Sequence, residues 1–90
     1  MRNPVEVAEK IQKAVPEEYK GVFDWFINDF SYKPEEQYPD CFGMLHGAVA
    51  QMLKTDHGTA DPKEDWHFEV CSILSTKSVE ELRVEFGLRN

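Results

Sequence analysis

The chain has 90 residues, of which 41% are hydrophobic and 12% aromatic, and a formal net charge of −7. That length and apolar content make one domain whose core needs no metal or disulfide, so neither a second domain nor overall disorder is expected. The charge repels phosphate backbones and anionic lipid, which argues against direct binding to nucleic acid or membrane and toward a basic partner.

Helical periodicity begins at once. In PVEVAEKIQKAV, residues 4–15, Val7, Ala8, Ile11, Ala14 and Val15 share one arc, with Glu6, Glu9, Lys10 and Lys13 opposite. Asn3 suits the N-cap, Pro4 the first helical position and Glu6 the acidic place of a capping box. Pro16 breaks this helix and restarts the pattern in PEEYKGVFDWFINDF, residues 16–30. Here Tyr19, Val22, Phe23, Phe26 and Phe30 share a face flanked by Ile27, and Trp25 stands about 100° from its centre. SYKPEEQYP, residues 31–39, lacks helical periodicity and is expected to be a connector, with a short turn at Pro34–Gln37.

Asp40 is expected to cap a third helix, CFGMLHGAVAQMLKTD, with Cys41, Phe42, Leu45, Ala48, Val49, Met52 and Leu53 on one side and Gly43, Gly47 and Ala50 on the other. A glycine inside a helix costs about 1 kcal/mol relative to alanine, so this small-residue ridge implies close approach of a backbone. A neighbouring helix is the first expectation, which would make this helix central, and a second copy of the chain the other. Lys54 and Gly58 mark the helix end. Asp61, Pro62 and Glu64 then match a cap, a first helical position and an acidic third, predicting a fourth helix over 62–74. Ser78 and Glu81 form a further capping box for a last helix through Phe86, closed by Gly87. The expected fold is all-α, a compact single-domain bundle of about five short helices over residues 1–90.

The fourth helix contains DWHFEVC, residues 65–71. Trp66, His67, Val70, Ile73 and Leu74 fall inside the apolar arc, and Cys71 lies on its shoulder within side-chain reach of His67. A structural zinc ion wants four ligands in paired short spacings, and this His-Cys pair supplies only one such pair. Cys41 and His46 are five apart, a poor helical spacing, and His57 stands alone in a predicted loop. A nucleophilic thiol needs a depressed pKa, whereas Glu64, Asp65 and Glu69 oppose a thiolate. KTDHGTADPKED also lacks the alternating ligands of an EF-hand loop. No catalytic, cofactor or metal-ligating residue is therefore expected, and a metal- or thiol-dependent activity centred on His67 and Cys71 stands as the alternative.

The final SVEELRVEFGLRN resembles the first helix and turn of a helix-turn-helix unit. No recognition helix follows and no basic face accompanies it, so it is expected to be an amphipathic closing helix.

Acidity is concentrated in residues 17–69, which hold twelve acids against Lys20, Lys33, Lys54 and Lys63, a net of −8. Within that segment Trp25, Tyr32 and Tyr38 are candidate exposed aromatics. Phe68 joins them, since it points about 160° away from Val70 on the helical wheel. Together with Asp29, Glu35, Glu36, Asp40, Glu64 and Asp65 they form the expected contact set of a small, non-enzymatic, protein-binding domain. One concrete form is an inhibitor that imitates nucleic acid and occupies a basic surface of its partner, as phage and mobile-element antagonists do. A homo-oligomer through Gly43 and Gly47 is the other partner expectation. Met1–Arg2–Asn3–Pro4 leads into a helix rather than a signal peptide, and Cys41 and Cys71 allow at most one bridge. Reduced thiols and a cytoplasmic location are expected.

Overall fold

The computed structural model describes residues 2–87. Helix α1, Pro4–Ala14, starts as its letters dictate: Asn3 Oδ1 accepts from the amides of Val5 (2.8 Å) and Glu6 (3.4 Å), and Pro4 occupies the first turn. Val15, the residue before Pro16, is extended as a pre-proline residue prefers, and α1 ends there. Pro16 does not restart an α-helix directly. It too is extended, and a 3₁₀ turn over Glu17–Tyr19 intervenes before α2, Gly21–Phe30. The corner is closed by two side chains. Lys20 Nζ donates to the carbonyls of Gln12 and Val15, which α1 leaves unpaired, while Gln12 Nε2 donates to Lys20 O and to Asp24.

After α2, a second 3₁₀ turn at Glu35–Gln37 falls where a turn is predicted and runs straight into α3, Tyr38–His57. The helix therefore begins two residues before Asp40, which lies in its first turn instead of capping it. Pro39 tolerates that start because first-turn amides have no helical partner in any case. Gly58 ends α3 in the left-handed region at φ +87, its amide donating to Lys54 O at 2.7 Å. Helix α4, Asp65–Ser75, starts three residues later than its Asp-Pro signal implies, and α5, Val79–Glu85, carries the predicted Ser78/Glu81 capping box. The described residues contain no strand, and no helix is long and apolar enough to cross a membrane. Leu88, part of the helix-turn-helix-like phrase, lies outside the described residues.

Helix α1 is the packing hub in place of α3, lying against α2, α3 and α4. Its Val7, Ala8 and Ile11 meet Phe23 and Phe26 of α2, the Cys41–Leu45–Val49–Met52–Leu53 face of α3 and Val70 and Leu74 of α4 in one buried core. Arg2 completes the junction, donating to the Ile73 and Leu74 carbonyls near the C-terminal end of α4. α5 sits on the opposite side of α4. That placement corrects the expectation of an exposed Phe68: α4 is covered on two sides, and Phe68 is 0% exposed, with Arg83 of α5 over its ring. The Arg83 guanidinium lies 4.7 Å from the Phe68 ring centroid and pairs with Asp65, closing the edge.

The Gly43/Gly47 ridge is also corrected. Both glycines are exposed, and a methyl group at either would meet nothing within 4 Å. No neighbouring helix uses them, because α3 turns its other side to the core. Each therefore only weakens α3. Replacing Gly43 or Gly47 by alanine is expected to add about 0.5–1 kcal/mol of stability per site, read as an upward shift in thermal midpoint. A loss of stability, or dissociation of an oligomer, would show instead that a second chain packs on the ridge.

Candidate functional site

Asp56 extends the apolar stripe of α3 by one turn beyond Met52 and Leu53, so a carboxylate points where a core residue would. It is met there by His67 of α4, which is 0% exposed. His67 Nδ1 accepts from two backbone amides, Lys63 (3.0 Å) and Glu64 (2.9 Å), and Nε2 lies 2.8 Å from Asp56 Oδ2. Two donors aimed at Nδ1 leave no room for a proton there. The ring proton is therefore on Nε2 and is donated to Asp56. The second carboxylate oxygen of Asp56 accepts from the Tyr19 hydroxyl at 3.1 Å, and Tyr19 stacks on Trp66 with centroids 5.7 Å apart.

This network explains the late start of α4. The amides of Lys63 and Glu64 turn toward His67, so these residues stay outside the helix, and Glu64, extended, becomes its N-cap. His67 holds the third helical position, where a capping box usually places Glu or Gln, and returns the bond to the amide of the cap residue. Pro62 is not a helix start but a fully buried loop residue.

The electrostatics follow from these contacts. Burial pushes the Asp56 carboxyl up, but the hydrogen bonds from His67 and Tyr19 outweigh it and hold the group below the usual carboxylate range. Tyr19 is shifted the other way. Desolvation, the bond to Asp56 and the charges of Asp56, Glu18 and Glu64 raise its phenol above the ordinary value. Burial likewise raises the Cys71 thiol, which disfavours the thiolate. With both imidazole nitrogens committed elsewhere, His67 does not act on Cys71.

Asp56, Glu64 and His67 offer ligand atoms within 4.8 Å of one another, the spacing at which a cation could bridge them. Ligation through Nε2 would remove its proton while Nδ1 keeps both amide bonds, leaving an anionic imidazolate. Metal-bound histidines instead donate their second ring N–H to an acceptor. The donor geometry fits a hydrogen-bonded latch between the end of α3 and the start of α4. His57, the last residue of α3, packs its ring 4.7 Å from His67 and places Nδ1 3.2 Å from Thr59 Oγ1, while its buried Nε2 has no partner among the described residues.

The predicted contact residues divide. Tyr38 is half-buried, its hydroxyl accepting from Asn3 Nδ2 at 3.2 Å; Glu64 caps α4; Asp65 pairs with Arg83; Phe68 is buried. The others remain on the surface. Trp25 is 42% exposed and Tyr32 93%, and Asp29, Glu35, Glu36 and Asp40 are exposed with no ion pair among the described residues. This second group lies along α2, the connector and the first turn of α3. Asp56 and Tyr19 escaped sequence reasoning as a pair, although an acid continuing the apolar stripe of α3 is a legible signal. Comparisons with protein-family models, curated proteins and solved structures find no match.

His67→Ala leaves two amides and a carboxylate without their partner and is expected to cost roughly 3 kcal/mol in urea unfolding. The stability gap between the native chain and Asp56→Asn should be full above the usual carboxylate range. It should shrink as pH falls through the depressed Asp56 value, because protonation removes the charge the latch favours. A gap that does not change with pH would contradict the network.

Proposed function

We propose that the protein is a non-enzymatic binding domain that presents the α2–α3 connector to a basic surface of a protein partner. The observation that carries this reading is the set Asp29, Glu35, Glu36 and Asp40, exposed and without ion-pair partners among the described residues, in the one stretch of chain, residues 29–40, that also carries the nearly fully exposed Tyr32. Within this segment Lys33 is the single cation, and its ammonium stands 5.8 Å from the Phe30 ring centroid. Unpaired carboxylates around an exposed aromatic steer and anchor a cationic surface, since long-range attraction speeds encounter and the aromatic contributes contact area.

The non-enzymatic part rests on the commitment of both His67 nitrogens and the raised Cys71 thiol. The more specific form of the proposal is an inhibitor whose carboxylates take the place of phosphates on a nucleic-acid-binding protein, within a chain of net charge −7.

Immobilised protein is expected to retain basic proteins from a lysate of its source organism at about 0.05 M salt and to release them by about 0.5 M. The triple variant Glu35→Lys, Glu36→Lys, Asp40→Lys should lose that retention while melting as the native chain does. The retained protein should lose its grip on DNA or RNA when the acidic domain is added. Retention that is indifferent to salt and to the triple variant would overturn the reading.

A further inference from the structure

A groove of about 270 Å³ opens between α2 and α3. Buried Met52 and half-buried Val22 and Ala48 form its base, Tyr19 and Trp25 stand on the α2 side, and Gln51 and Thr55 line the α3 side. None of these lining residues carries a charge. The Trp25 ring is held by its own helix, edge-on to Phe26 and Phe30 at 5.8 and 6.2 Å, so an exposed aromatic wall is set before anything binds. Tyr19 is fixed at the other end by Asp56 and Trp66.

Three features specify the occupant. The volume falls below the roughly 300–1,000 Å³ of small-molecule sites and suits one large side chain. The surroundings are acidic at both ends: exposed Glu18 adjoins Tyr19, and exposed Asp29 follows Trp25 by one helical turn on the same side of α2. A second copy of this chain would bring another −7 to that surface, which opposes it as the occupant. A partner helix carrying one bulky apolar residue flanked by lysine or arginine meets all three conditions.

Resting on the proposal that the partner is basic, we infer that the α2–α3 groove receives an apolar anchor side chain from a cationic amphipathic helix. The anchor lies between Trp25 and Met52, and the flanking cations meet Glu18 and Asp29. Helix-in-groove recognition of this kind places most of the affinity in one or two buried anchors, with charge setting orientation and rate.

The probe is an amphipathic peptide of leucine and lysine, about 18 residues long so that it spans several turns, with a leucine–glutamate peptide of the same pattern as control. Binding is followed by ¹H–¹⁵N correlation spectra at low salt. The leucine–lysine peptide should shift the Trp25 indole N–H and the amides of Val22, Ala48 and Gln51, and the glutamate peptide should not. Ala48→Phe, which fills the groove, should weaken binding about tenfold or more. Trp25→Ser should do the same at a temperature where the variant, which gives up the edge contacts to Phe26 and Phe30, is still folded by its dispersed amide spectrum. Equal binding by the native chain and both variants, or shifts confined to residues 31–40, would overturn the groove and leave the acidic-connector proposal standing. No binding at low salt, or equal binding of both peptides, would overturn both.

Discussion

Two backbone amides, those of Lys63 and Glu64, turn toward the buried ring of His67 at the junction of α3 and α4, and among the described residues both donate to its Nδ1. Backbone amides at a partly buried helix start need acceptors, and this pairing has consequences on each side of the ring. It excludes a proton from Nδ1 and so places one on Nε2, facing Asp56. Asp56 is in turn held ionised and able to accept from Tyr19. One imidazole thereby connects the start of α4, the end of α3 and the turn leading into α2. The loop at 58–64, the position of Tyr19 and hence one end of the α2–α3 groove depend on it.

The same accounting sorts the seventeen acids of the chain, of which Glu6, Glu9, Glu17, Glu18, Asp61, Glu69 and Glu80 are exposed, without ion pairs among the described residues and spread along the sequence. Asp24, Asp56, Glu64, Asp65, Glu81 and Glu85 are committed to internal bonds, caps and ion pairs. Asp29, Glu35, Glu36 and Asp40 likewise have no such role among the described contacts, and they fall within residues 29–40, the segment that carries Tyr32. What distinguishes this segment is that four of its residues are uncommitted acids and a nearly fully exposed tyrosine stands among them in sequence. A partner of opposite charge gives it a use, and it is on this group that the proposed binding function rests.

Much of the fold was legible because it is written in local rules. Asn3–Pro4, Gly58 and the Ser78/Glu81 box each set a helix boundary through bonds within a few residues, and each stands where those rules put it. The failures came where a distant group decided. Asp61–Pro62 is a sound helix start in isolation, yet the ring of His67 draws the next two amides out of the helix. Phe68 points away from the first apolar face of α4, but a wheel cannot register that α5 returns to cover the second. Gly43 and Gly47 suggested close packing, whereas the hub is α1 and their face of α3 looks outward. The His67–Cys71 pair, neighbours on one helix, drew notice as a chemical motif; the partner that matters, Asp56, lies on another helix and was visible only as an acid on an apolar stripe.

The tautomer of His67 tests the account most directly, because every link of the network follows from which ring nitrogen carries the proton. Long-range ¹H–¹⁵N correlation spectra of the imidazole distinguish the two nitrogens in solution at neutral pH. The network predicts a protonated Nε2 and an unprotonated Nδ1, with Asp56→Asn changing the Nε2 environment and leaving Nδ1 as it was. A proton on Nδ1 would contradict it, since the amides of Lys63 and Glu64 would then have no acceptor and the latch between α3 and α4 could not exist as described.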